Sequence, residues 1–319
     1  MKKYFRKLKR FISNLPILGN ILHWSKHQSL PGFSKVPIYN VISFIIAETQ
    51  EDDITTRANS IAFSFFLAIF PAIIFLFTLI PLLPFNEYYA DSLNTAIESA
   101  LPSSASQYLT GIINSVASIK REGLLSFGFF LSLFFASSGV LTLMSGFDKS
   151  YDTTFKKRSY LRKRGVALLL TLLTVSIFLI SILFIVIGEE ALTWVINRLG
   201  FESSPFQFSS LRYLFSILVI YIGITIMYRY GPSMYRRTKF INAGSILATI
   251  LSILTSLGFS YFINNFGRYN ELYGSIGALI IILLWLQFNA FILLLGFELN
   301  AGIAVNKDIL YKGPDPKAT

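Results

Sequence analysis

Six long apolar runs, each bounded by charged or polar residues, divide the 319-residue chain. Each run is close to the ~20 residues that a helix needs to cross a bilayer, with allowance for tilt. Helices satisfy their own backbone hydrogen bonds in lipid, and the sequence lacks the short alternating pattern of a membrane β-barrel. It therefore predicts an all-α polytopic membrane protein with a membrane domain over 57–304 and transmembrane helices at 60–83, 124–145, 165–188, 211–230, 240–263 and 276–297.

The segments outside these runs have patterns of their own. Residues 1–56 form a basic N-terminal segment with apolar residues at helical spacing, typical of an amphipathic helix on an anionic inner leaflet. Within it, 36–47 is apolar but too short to span, and we expect an interfacial or re-entrant helix there. The outer loop 85–122 carries an apolar stripe, which favours a helix packed across the outer mouth over a lid or substrate contact. Residues 305–319 are predicted to be a disordered cytoplasmic tail.

Basic residues determine the predicted orientation. The chain is 53% hydrophobic and 14% charged, with a net charge of +11. The segments on the predicted inner side hold 23 of the 28 Lys and Arg residues, which puts both termini in the cytoplasm. A basic protein could bind nucleic acid, but charge concentrated beside helix ends is typical of a membrane surface. We therefore expect no nucleic-acid partner.

Residues suited to catalysis or metal binding are scarce. The chain has no cysteine, and its two histidines, His23 and His27, lie without a nearby carboxylate in a polar stretch. We interpret them as surface residues and not as a metal pair. The small residues at 137–139 favour close helix packing over a nucleophile, because no base follows at a recognisable spacing. We expect neither an enzyme nor a bound metal or cofactor.

Polar residues within the first and last runs are the main functional clue. Ionisable groups inside a membrane are functional by default, and Pro71 also frees a backbone carbonyl in the first helix. Gln287 and Glu298 share one helix face, whereas Asn289 lies about 200° away. We predict a polar transport path between spans 1 and 6, although interhelical hydrogen bonding accounts for these residues equally well. The predicted path residues are Asn59, Ser60, Ser64, Pro71, Gln287, Glu298 and Asn300.

Two basic clusters lie on predicted inner loops. Their simplest role is to set the topology, and contact with anionic lipid headgroups is the second interpretation. They lack the interleaved aromatic platform on which single-stranded nucleic acid stacks. Membrane lipids, above all anionic lipids of the inner leaflet, are the expected partners, with envelope proteins or a second copy of the chain as further candidates. The predicted headgroup contacts are Arg162, Lys163, Arg164, Arg236 and Arg237.

The second and sixth runs end alike. Residues 146–148 read Gly-Phe-Asp and residues 296–298 read Gly-Phe-Glu. This faint echo suggests an internal repeat that would pair spans 1–2 with spans 5–6, as in transporter bundles.

Several motifs over about residues 53–304 resemble the YihY/virulence factor BrkB family of bacterial inner-membrane proteins. They are ANSIAF with LAIFP at 58–71, the opening of the fifth run at 242–244, and NFG, YGSIGA, LWL and LGFELNA over 265–301. The last group is long and specific. Where the family typically has Pro-Gly-Ala, this chain has Asn242-Ala243-Gly244, so a proline-dependent turn is not expected.

The resemblance implies a six-span protein of the bacterial inner membrane, linked in the family to envelope traits such as serum resistance and lipid export. Some members carry a legacy ribonuclease label, but this chain has no cluster of histidines and carboxylates for metal-dependent phosphodiester hydrolysis. We predict a transporter or lipid-translocating protein that acts through the path between spans 1 and 6. A non-catalytic scaffold for envelope assembly is the alternative, and a membrane-bound ribonuclease is a remote one.

Overall fold

A computed structural model describes residues 23–30, 32–51, 53–79, 122–148, 151–198, 205–265 and 268–312. Seven helices account for most of these residues. Within the described ranges, the β-structure is limited to one isolated bridge, between Phe155 and Met234. The helices are α1 (Ile38–Glu51), α2 (Ile54–Leu79), α3 (Glu122–Gly146), α4 (Tyr160–Arg198), α5 (Pro205–Tyr230), α6 (Ala243–Asn265) and α7 (Arg268–Lys312).

The outer surface of the helices is apolar. Large side chains such as Phe130, Phe178 and Leu257 are more than half exposed, which suits contact with lipid tails and not with water. Five helical segments are long and apolar enough to cross a membrane: Ser126–Gly146, Tyr160–Ser181, Tyr213–Tyr230, Ala243–Phe262 and Leu279–Ile309. The molecule is therefore a polytopic helical membrane protein, as the sequence predicts.

The first predicted span, 60–83, falls on α2, which is described as far as Leu79. Because α2 is not among those five segments, the count of six spans stays a prediction, as does the orientation of the termini. Asp53 caps the start of α2: its carboxylate accepts the Thr56 backbone N–H at 3.3 Å and the Thr56 hydroxyl at 2.6 Å. These hydrogen bonds from Thr56 hold the pKa of Asp53 below its usual value.

The six long helices close into a ring. Each of α2 to α6 packs against the next helix along the chain, and α7 packs against both α6 and α2. The core inside this ring draws buried side chains from all six helices, among them Ile61, Met144 and Leu294. The α2–α7 contact is thus the seam at which the first and last long helices meet.

Contacts between loops hold one end of the ring of helices together. The Lys156 backbone N–H donates to the Ser233 carbonyl at 2.7 Å, and the Thr154 hydroxyl donates to Asp308 on α7 at 2.8 Å. These contacts bring two predicted inner loops and the last turns of α7 together. We call this region the basic end; it comprises the start of α2, residues 147–148, 151–159 and 231–242, and α7 from Phe297 onward.

Helix α7 is longer than the predicted sixth span of 276–297, because it runs from Arg268 to Lys312. The prediction of a disordered tail from 305 is wrong for 305–312. Ala301 and Val305 are buried in the core, so packing of this apolar face keeps the chain helical beyond the apolar run. The rest of the predicted tail, 313–319, lies outside the described residues.

Helix α1 includes most of the predicted short helix at 36–47 and packs against α7. Val41 contributes to a small core with Leu299 and Ile303 of α7. Its position relative to the membrane stays a prediction. The predicted amphipathic stretch before residue 23 and nearly all of the predicted outer loop lie outside the described residues.

Candidate functional site

A charged contact lies at the seam between α2 and α7. The Glu298 side chain is completely buried, and its Oε1 lies 3.9 Å from Nη1 of Arg57 on α2. The same Arg57 nitrogen donates to the carbonyl of Gly146 at the end of α3, at 3.2 Å. Because carbonyls at a helix C-terminus carry partial negative charge, the guanidinium faces two negative groups. Arg57 therefore links α2, α3 and α7 at one point.

Aromatic side chains pack together inside the ring of helices, beside the contact between Arg57 and Glu298. The rings of Phe147 and Phe297 lie 4.4 Å apart, and Tyr228 packs edge-on against Phe147 at 5.7 Å. Phe155 adds a fourth ring, 6.4 Å from Phe297. All four side chains are buried, and we call them the aromatic plug. The two phenylalanines of the Gly-Phe-Asp and Gly-Phe-Glu motifs thus meet at its centre.

Two asparagines join α6 to α7. Asn242 caps α6, since its Oδ1 accepts the Ser245 backbone N–H at 2.8 Å. The same oxygen accepts a hydrogen bond from Asn300 Nδ2 at 2.7 Å, and Asn300 Oδ1 in turn accepts the Gly244 N–H at 2.9 Å. The first turn of α6 is therefore bonded to a side chain of α7. Asn242 carries out at this position what a helix-initiating proline cannot, because proline has no side-chain acceptor.

The helices α6 and α7 cross closely at Gly244 and Gly296. A Cβ on Gly296 would lie 2.6 Å from the Tyr228 hydroxyl and 2.8 Å from the Gly244 carbonyl oxygen. Tyr228 also donates its hydroxyl to the carbonyl of Leu293, at 2.6 Å. The absence of side chains at both glycines is what brings the two backbones into contact.

A pocket opens beside the asparagines at the basic end. It has a volume of about 280 Å³ and is lined by the loop 231–242, the last turns of α7 and part of the segment before α1. Among the described residues, its charged lining consists of four basic side chains and one carboxylate: Arg236, Arg237, Lys239, Lys307 and Asp308. We call this cavity the basic pocket.

The predicted path residues separate into two groups. Glu298 and Asn300 are buried on α7, whereas Asn59 and Ser60 are exposed on α2. Ser60 returns its hydroxyl to the carbonyl of Thr56, at 3.0 Å. The structure therefore does not bring Asn59 or Ser60 beside Glu298, because Arg57 occupies the face of α2 that meets α7.

The remaining path residues lie along the walls of the bundle. Ser64 donates to the Ser60 carbonyl at 2.9 Å and lies 3.1 Å from the Thr142 hydroxyl on α3, so it joins α2 to α3. Pro71 is buried inside α2, and Gln287 is half-buried on α7. Ser64 thus faces α3, which differs from the predicted placement on a path toward span 6.

The predicted headgroup residues of the first basic cluster mostly contact α3. Lys163 pairs with Asp148 and donates to the Ser145 hydroxyl at 2.9 Å. Arg164 donates to the Ser138 hydroxyl at 3.0 Å and lies over a phenylalanine ring. Arg162 is exposed. Two of these three side chains therefore tie α4 to α3.

The predicted headgroup residues of the second basic cluster lie at the basic pocket. Arg236 and Arg237 are exposed, and both line the basic pocket. Arg237 lies over the ring of Tyr230, 4.9 Å from its centroid, which orients the guanidinium. Behind this loop, Arg158 donates to the carbonyl of Gly231 at 3.2 Å, and partial burial lowers its pKa.

Sequence reasoning missed Arg57, Asn242 and Lys307 as site residues. Arg57 counted only toward the charge of the inner side, and Lys307 lay in the predicted tail. The signal for Asn242 was available, because an asparagine at the start of an apolar run is a helix N-cap pattern.

An apolar exterior, five membrane-length helical segments and a polar site at one end of the ring define a multi-pass membrane protein. A family model described as virulence factor BrkB matches residues 45–318. The chain belongs to this family.

Similar proteins have names that describe the membrane more than a reaction. The chain is 28% identical to a putative ribonuclease-like protein, YfkH, of Bacillus subtilis (strain 168), covering 81% of this chain and 93% of that protein. It is 23% identical to the UPF0761 membrane protein MS0032 of Mannheimia succiniciproducens, covering 79% and 85% of the two chains. A UPF0761 membrane protein of Tolumonas auensis is 34% identical over a quarter of this chain (25%) and 26% of its own length. No solved structure matches the chain.

Proposed function

We propose that the chain is a transporter or lipid-translocating protein of the bacterial envelope, with its polar path at the seam between α2 and α7. The observation that supports this most directly is the fully buried Glu298 with Arg57 at 3.9 Å across the seam. Burying a charge inside a membrane protein costs free energy. Charged groups in such places therefore mark ion or substrate pathways more often than they serve only to hold helices together.

The aromatic plug gives the proposed path a closed inner end. Phe297 precedes Glu298 on α7 and stacks on Phe147, which follows the last residue of α3. Arg57 ties α2 to the end of α3, so a shift of α7 against these two helices would separate these rings and the Arg57–Glu298 contact together. We infer that opening at the basic end couples the plug to the charged contact, as in alternating access.

The setting of this proposed activity follows from charge and composition. We propose an inner-membrane location with both termini cytoplasmic, anionic inner-leaflet lipids as partners, and no catalytic chemistry. The basic side chains at the basic end support this arrangement, because anionic headgroups attract juxtamembrane Lys and Arg.

The test is lipid translocation in proteoliposomes. Headgroup-labelled lipid is reconstituted with the full chain, the outer leaflet is quenched chemically, and the further loss of signal reports movement from the inner leaflet. Wild type is expected to exceed empty vesicles, and Glu298→Gln to slow the loss at least tenfold.

A matched control uses another buried carboxylate. Glu48 lies on α1, which is neither of the two seam helices; it is buried and accepts a hydrogen bond from the Tyr151 hydroxyl at 2.7 Å. Glu48→Gln should therefore leave the rate of translocation within about twofold of wild type. Equal rates for wild type and empty vesicles, with insertion verified, would favour the scaffold alternative. An equal fall in the translocation rate for Glu298→Gln and Glu48→Gln would rule out the α2–α7 seam as the transport path.

A further inference from the structure

The basic pocket has an excess of positive charge that the described residues do not neutralise. Arg236, Lys239 and Lys307 form no salt bridge or side-chain hydrogen bond within the described part of the chain. Asp308, the one carboxylate among the lining residues that the structure describes, already accepts the Thr154 hydroxyl. Cations gathered around a cavity without anionic partners repel one another, so an anion between them would lower the electrostatic energy of this end.

The polar groups at the floor of the pocket are already satisfied. Asn242 and Asn300 bond to each other, and the N–H groups of Gly244 and Ser245 are taken by these two side chains. The N-terminus of α6 therefore offers no free backbone donors at these positions. Recognition in this pocket depends on the guanidinium and ammonium groups of its rim, over a rigid floor.

The kind of anion follows from the donors. Two adjacent guanidinium groups and two ammonium groups supply many more donors than a single carboxylate can accept, whereas a phosphate group presents several oxygens in different directions. Arg237 is held over Tyr230, so its donors are partly preorganised. A volume of about 280 Å³ accommodates a headgroup and no long chain.

We propose that the basic pocket binds a phosphate group, carried by the headgroup of an anionic lipid or by a small soluble phosphate compound. The loop 231–242 supplies three of the four cations and joins α5 to α6, and α7 supplies the fourth, Lys307. A bound phosphate would thus bridge this loop to α7. The inference goes beyond the proposed path, because no described residue of α2 lines the basic pocket, and its test measures binding alone.

The test is calorimetric titration of the full-length chain in a neutral detergent. The probes are dioctanoyl phosphatidylglycerol, inorganic phosphate and the zwitterionic dioctanoyl phosphatidylcholine. Arg236→Gln and Lys307→Gln should each weaken binding of the anionic probe about tenfold, the ratio typical of one lost charge-assisted hydrogen bond. Lys157→Gln is the matched control, because it removes one exposed charge from the same end but outside the pocket.

A further variant should bind the anion more tightly than the wild type, and misfolding cannot explain a gain in affinity. Asp308→Asn removes the only carboxylate among the described residues of the pocket lining, and affinity for the anion should rise about fivefold. Binding of the anionic lipid without binding of inorganic phosphate would assign the site to a headgroup. Comparable binding of both would assign it to soluble phosphate.

The zwitterionic lipid also carries a phosphate and should bind more weakly, because its choline cation opposes the cations of the pocket. Unchanged affinity in both pocket variants, or no binding of either the anionic lipid or inorganic phosphate, would overturn the inference. The two proposals can fail separately. Phosphate binding without Glu298-dependent translocation would support the phosphate site and refute the transport path at the seam. Glu298-dependent translocation without phosphate binding would support the transport path and refute the phosphate site.

Discussion

Gly296→Ala tests whether the close crossing of α6 and α7 holds this membrane domain together. The added Cβ would lie 2.6 Å from the Tyr228 hydroxyl, 2.8 Å from Ala248 Cβ and 2.8 Å from the Gly244 carbonyl oxygen. Ordinary contacts of this kind are about 3.4 Å or longer, so atoms on three sides must retreat by roughly 0.6–0.8 Å. One of them belongs to a backbone, which cannot rotate away.

The expected cost can be built from these contacts. Overpacking a tight interior costs about 1–3 kcal/mol, and displacing Tyr228 weakens its 2.6 Å hydrogen bond to Leu293, worth about 1 kcal/mol. Alanine regains about 1 kcal/mol as the better helix former. The net loss in the free energy of unfolding should be about 2 kcal/mol.

The assay is reversible unfolding in mixed micelles, followed by far-ultraviolet circular dichroism. Gly258→Ala is the matched control on α6, since no heavy atom lies within 4 Å of its added Cβ. It should be neutral or more stable by up to about 1 kcal/mol. The two alanine variants should therefore differ by about 3 kcal/mol, and equal stability would refute the reasoning.

Tyr228→Phe supplies an internal check. It removes the hydroxyl that the new Cβ would meet first, so Gly296→Ala should cost less in that background than in the wild type. Such non-additivity is expected between groups in contact, at about 0.5–3 kcal/mol. Strict additivity of the two substitutions would mean that the hydroxyl is not the obstacle.

The same unfolding assay checks three further expectations. Asn242→Ala removes the cap of α6 and should cost about 2 kcal/mol; a loss below about 0.5 kcal/mol would contradict its role. Arg57→Gln and Glu298→Gln should be coupled by about 0.5–3 kcal/mol, and additive losses would show that their 3.9 Å contact is incidental. Tyr151→Phe should cost about 2 kcal/mol, because its hydroxyl bonds to buried Glu48; no change would indicate that water replaces it.

Apolar runs located the helices well because hydrocarbon length and flanking charge leave a strong pattern. The predicted run 124–145 nearly coincides with α3, and 240–263 differs from α6 by a few residues at either end. The end of α7 was predicted poorly for a physical reason. Residues 298–309 mix charged and amide side chains with Ala301 and Val305, so mean hydropathy falls while one helix face stays buried.

The candidate site was predictable in part. Glu298 and Asn300 directly follow the last apolar run, which suggested that they lie inside the bundle, and both are buried. The sequence did not predict which face of α2 contacts these two residues. A helix that is apolar on nearly all sides does not indicate which side faces its neighbour. The sequence pointed to Asn59 and Ser60, while packing turned Arg57 toward α7 instead. The phenylalanines of the two Gly-Phe motifs, Phe147 and Phe297, are in contact, and the internal repeat suggested by these motifs stays a prediction.

The length of α7 makes it a lever. Its 45 residues extend over about 67 Å, more than twice the hydrocarbon thickness of a bilayer. Its close crossing with α6, at Gly296, lies about 42 Å from one end and about 24 Å from the other. A rigid tilt of about 5° would therefore displace the far end by about 4 Å and the end beside the basic pocket by about 2 Å in the opposite direction. Because no side chain at Gly296 keeps α6 and α7 apart, a tilt about this crossing would move the two ends of α7 in opposite directions and by unequal amounts.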